Sequence, residues 1–76
     1  MEDIEKRIGE NLRKIILNRG LNAAEIGKNA GLEVLEFADV IAGTGNLTTA
    51  QLEKIASGLG MSVIDIITYP DRFIKI

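Results

Sequence analysis

Glu33, Glu36 and Asp39 set three carboxylates at three-residue spacing, with Val34 and Leu35 between the first two. If the segment is helical, that spacing puts the carboxylates on neighbouring parts of one face. Carboxylates gathered in this way perform general acid and base work when a pocket tunes their proton affinity. An exposed helix offers no such pocket, which argues against catalysis. The chain has no histidine and no cysteine, so imidazole bases, thiolate nucleophiles, disulfides and the commonest zinc ligands are excluded. No catalytic, metal or cofactor constellation is recognisable, and the sequence reads as that of a non-enzyme. On the residues alone, these carboxylates read as a solvated helix face.

The rest of the chain must position that face. Seventy-six residues hold one core and bury roughly 60% of the unfolded surface. A hydrophobic share of 46% against 26% charged residues is that of a globular protein and not of a disordered tail. Net charge is −2, without the basic excess that marks many nucleic-acid binders, so any such role would rest on a local patch. No apolar run is long enough to span a membrane and no basic segment precedes a short apolar one, which points to a cytoplasmic protein.

Five helices are expected. Ile4, Ile8, Leu12, Ile15 and Ile16 recur near the helical period from Glu2 to Arg19, and Gly20 closes that segment. Asn22 with Glu25 makes a capping-box-like start for a second helix of about two turns, ended by Gly31. Glu33 to Ala42 forms a third, with Leu32, Phe37 and Val40 aimed inward and Gly43 as its stop. Thr48 or Thr49 caps a fourth, whose stripe is Leu52, Ile55, Ala56 and Leu59. Ser62 with Asp65 opens a fifth, Val63 to about Thr68, before Tyr69-Pro70 breaks it. Residues 1–68 thus form the domain and 69–76 a tail, whose Phe73, Ile74 and Ile76 suit fold-back or pairing with a second copy.

The order and spacing of these signals resemble the Xre/Cro family of phage repressors, the lambda-repressor-like domains. The residues that carry the likeness are Ile8-Gly9-Glu10-Asn11-Leu12-Arg13, Gly20-Leu21-Asn22, Ala24-Glu25-Ile26, Gly31-Leu32, Phe37, Gly43 and Ile55-Ala56-Ser57-Gly58-Leu59-Gly60-Met61-Ser62. The likeness runs from Ile8 to Ile67, about four fifths of the chain. The resemblance implies an all-α fold of five helices built around a helix-turn-helix, with a short C-terminal tail. It also implies that the third helix enters the major groove while the second helix and the loop after the third hold phosphates.

Carried over position by position, the base-reading residues fall on Glu33, Val34, Leu35, Glu36 and Asp39. Phosphate or loop contacts fall on Asn22, Lys28, Thr44 and Asn46, with Thr48 and Thr49 beside them. Arg7, Arg13, Lys14 and Arg19 of the first helix are further candidate cations. Caps and turns account for Asn22 and the threonines equally well. Two departures stand out. The family's phosphate-binding glutamine is replaced by Ala23, and an arginine–glutamate pair common between the first and third helices is replaced by Ile16 and Ile41. No basic residue lies between Ala30 and Gln51.

Two functions follow. The first is a sequence-specific DNA-binding transcriptional regulator, acting as a homodimer on a two-fold operator in duplex DNA. The alternative is a protein-interaction module, an antirepressor or regulatory partner, that keeps the fold and binds protein through Val34, Leu35 and the carboxylates.

Overall fold

The computed structural model describes residues 4–69. Five α-helices follow one another: α1 (Ile4–Arg19), α2 (Ala23–Asn29), α3 (Val34–Ile41), α4 (Thr49–Leu59) and α5 (Val63–Thr68). No strand occurs among the described residues. The all-helical architecture read from the sequence is the one observed. The expected start of the first helix at Glu2, and the tail residues Phe73, Ile74 and Ile76, lie outside the described residues.

Local chemistry sets the boundaries. Thr48 Oγ1 accepts from Gln51 N–H while Gln51 Oε1 accepts from Thr48 N–H, and Ser62 with Asp65 repeats the exchange at α5. Each pair satisfies two donors that a helix start leaves without intrahelical partners. Asn22 Oδ1 accepts from Glu25 N–H at α2. The third helix is shorter than its apolar pattern suggested, because Glu33 and Ala42 are its caps.

The core joins Leu12 and Ile15 of α1, Phe37 and Val40 of α3, Ile55 of α4 and Ile66 of α5, all at most 3% exposed. Helix α1 packs on α3 and α5, α2 on α3 and α4, and α4 on α5. Ile16 is buried and Ile41 packs against the core, so both isoleucines occupy interior or near-interior positions. Asn11 is buried within this apolar frame. Its Nδ2 donates to the carbonyls of Ile66 and Ile67 at 2.9 and 3.1 Å, tying α1 to the last turn of α5. Tyr69 also packs on the core, and its hydroxyl oxygen accepts from Asn18 Nδ2. No helix among the described residues is long and apolar enough to cross a membrane.

Candidate nucleic-acid interface

The candidate face is built by α2, residues 30–33 and α3. Gly27 lets the two helices approach closely, since a Cβ there would stand 2.8 Å from Phe37 Cβ. In the turn, Gly31 N–H donates to Lys28 O and Leu32 N–H to Gly27 O, both at 2.9 Å. Gly31 has a φ of 77°, a left-handed backbone that glycine adopts without steric cost. That reversal buries Leu32 and brings Glu33 to the start of α3.

With Phe37 and Val40 directed inward, the first turn of α3 is left facing out. Val34 is 65% and Leu35 78% exposed. Together with Ala24, Glu25 and Lys28 of α2 and with Leu32 and Glu33, they line an open groove of about 520 Å³. A second depression of about 300 Å³ shares Leu32 and gathers Glu36, Asp39, Gly45, Asn46 and Gln51. The fold therefore brings Lys28, Glu33, Val34 and Leu35 together in one hollow, and Glu36, Asp39 and Asn46 in the next.

Several of these side chains also have local structural work. Glu36 Oε1 accepts from Glu33 N–H at 2.9 Å, holding that carboxylate back against the helix start. Thr44 Oγ1 donates to Asp39 O, as do the Thr44 and Gly45 amides, so the loop after α3 is fastened to the helix end. Asn22 caps α2. Arg19, considered above as a phosphate contact, donates from Nη1 to the Leu59 carbonyl at 2.7 Å and closes the end of α4.

The charge is segregated. Helices α2 and α3 with the turn between them carry Glu25, Glu33, Glu36 and Asp39 against the single cation Lys28. Cations concentrate on α1, at Lys6, Arg7, Arg13, Lys14 and Arg19. Lys6 escaped the sequence reading. Its side chain lies against Gly43, where a Cβ would meet Lys6 Cγ at 3.0 Å. The stem of Lys6 thus lies beside the loop that carries Thr44 and Asn46. Ala24 and Glu25 were also missed as groove residues, although each lies one helical turn before Lys28. Gln51 could be placed only once the fold of the loop was known.

No family model matches the chain, and no curated protein matches it in sequence. Solved structures do match. The clp gene regulator ClgR from Corynebacterium glutamicum superimposes with a TM-score of 0.80 at 18% identity, over 87% of this chain and 70% of that one. A hypothetical transcription factor, NHTF from Neisseria, gives 0.77 at 22% identity, over 93% of this chain and 82% of that one. The likeness establishes the fold, a five-helix helix-turn-helix domain.

Proposed function

We propose that this chain is a DNA-binding transcriptional regulator of the Xre/Cro type that presents α2 and α3 to the major groove of duplex DNA. The observation that carries this reading is the outward-facing start of α3, held on α2 by the Gly27–Phe37 contact, with Val34 and Leu35 exposed. The fold it shares with a named gene regulator and a hypothetical transcription factor supports it. Val34 and Leu35 have the chemistry to meet thymine methyl groups, and Glu33 or Asp39 to accept from a cytosine amine. Lys28 from α2, Lys6 beside the α3–α4 loop, and Asn46 supply phosphate contacts.

The acidic face makes each half-site weak, and a homodimer on a two-fold operator compensates by doubling the contacts. The protein acts in the cytoplasm and carries no catalytic function.

The test is a fluorescence-anisotropy titration against a randomised duplex pool at low and physiological salt, with sequencing of the bound fraction. Salt-sensitive binding and an enriched palindrome are expected. Folded protein that binds no duplex even at low salt overturns the assignment.

A further inference from the structure

We propose that the groove between α2 and the start of α3 is a docking site for a basic amphipathic helix of a partner protein. Three features converge there. The groove is about 520 Å³ and open, within the size range of concave ligand sites. Its walls hold two adjacent exposed aliphatics, Val34 and Leu35, over Leu32 and Ala24, and apolar surface of this kind gains free energy when a partner removes it from water. Its rim is acidic: Glu25 and Glu33 line the groove, Glu36 and Asp39 continue along α3, and Lys28 is the sole cation of α2 and α3.

These features select the occupant. The carboxylates that repel phosphate attract lysine and arginine. A helix with apolar residues at i, i+3, i+4 and i+7 seats them in a groove while its flanking cations reach the rim. A second copy of this chain is a poorer fit. Its basic helix, α1, commits Leu12, Ile15 and Ile16 to its own core. The docking site stands independently of DNA binding. A partner seated there covers Val34 and Leu35, so it and a duplex at the same face exclude one another, which makes the partner a switch for the regulator.

The probe is a synthetic helical peptide with leucines at that spacing and lysines elsewhere, beside an otherwise identical peptide bearing glutamate for lysine. Each is titrated into the isotope-labelled full chain while amide shifts are followed by NMR, with a duplex pool titrated in parallel. The lysine peptide is expected to shift Ala24, Lys28, Val34 and Leu35, and the glutamate peptide to shift none of them. Leu35→Gln, at an exposed position, should retain the amide dispersion of the folded chain and weaken the lysine peptide at least about tenfold. Ile64→Gln, another exposed aliphatic, should leave peptide affinity unchanged.

Shifts scattered over the acidic surface, or unchanged affinity in Leu35→Gln, overturn the proposal. Concentration-dependent shifts of the groove amides in the free protein, with a doubled mass, assign the groove to a second copy and also overturn it. A duplex that moves these amides while the lysine peptide moves none removes the docking site and leaves the DNA assignment intact. Peptide binding without duplex binding supports the docking site and removes the DNA assignment.

Discussion

Gly9 of α1 lies directly against the main chain of Val40 in α3, and a Cβ at position 9 would overlap the Val40 carbonyl oxygen. The contact sets how closely the candidate recognition helix sits on the first helix. The obstacle is backbone, which cannot swing aside as a side chain would. Gly9→Ala is expected to lower the unfolding free energy by about 1–3 kcal/mol, measured by urea denaturation. Gly58→Ala is the matched control, since a Cβ there meets nothing within 4 Å and its φ is not positive. It should gain about 0.5–1 kcal/mol from the better helix propensity of alanine. Equal effects at the two glycines would contradict the close approach of α1 and α3.

Asn11, two residues further along α1, makes a second prediction. Its buried amide donates to the Ile66 and Ile67 carbonyls at the end of α5, where Ile66 O also accepts from Tyr69 N–H at 3.3 Å. Asn11→Ala should cost about 1–3 kcal/mol, because it removes a donor from both carbonyls and leaves Ile66 O only the longer bond from Tyr69 N–H. Asn11→Asp should cost more, since a carboxylate sets negative charge against both oxygens. Ranking the two variants by denaturant midpoint checks the order, and an aspartate no worse than alanine would contradict the donor role.

Arg19 and Lys28 separate structural from binding cations. Arg19 closes the end of α4, whereas Lys28 lines the groove. Arg19→Ala should lower the melting temperature and leave the salt dependence of duplex binding unchanged. Lys28→Ala should do the reverse, reducing the slope of log affinity against log salt by about 1. Paired melting curves and salt titrations decide the matter, and a changed slope in Arg19→Ala would return that residue to the interface.

The fold was legible because its signals are local. Asn22–Glu25 and Ser62–Asp65 mark helix starts by spacing, Thr48 or Thr49 marks another by residue type, and Leu12, Phe37 and Ile55 mark inward faces by period. Long-range partnerships were not legible. Nothing in the sequence around Arg19 points to the Leu59 carbonyl forty residues away, and nothing around Lys6 points to Gly43. For the candidate face, the exposure of Val34 and Leu35 followed from the resemblance, but the hollow beside them depends on how closely Gly27 lets α2 meet Phe37, a distance that composition does not encode. The double use of Glu36, as carboxylate on the face and as acceptor for Glu33 N–H, emerged only with the side chains in place.

That double use makes the charge of α3 testable without disturbing the helix. Glu36→Gln keeps a side-chain oxygen for the Glu33 amide and removes a negative charge. Asp39→Asn is equally conservative, because the loop is fastened to the Asp39 main-chain oxygen and not to its carboxylate. If α3 faces a duplex, each substitution relieves repulsion from nearby phosphates by roughly 0.5–1 kcal/mol, less as salt rises. Affinity for a random duplex should then increase several-fold for the double variant at low salt, with little change in the melting temperature. Glu53→Gln provides the control, since Glu53 is exposed on α4 and lines neither depression. An equal gain from Glu53→Gln would mean that only net charge matters. No gain from Glu36→Gln with Asp39→Asn, in protein that does bind DNA, would mean that the duplex lies elsewhere, with the cations of α1 as the next surface to map.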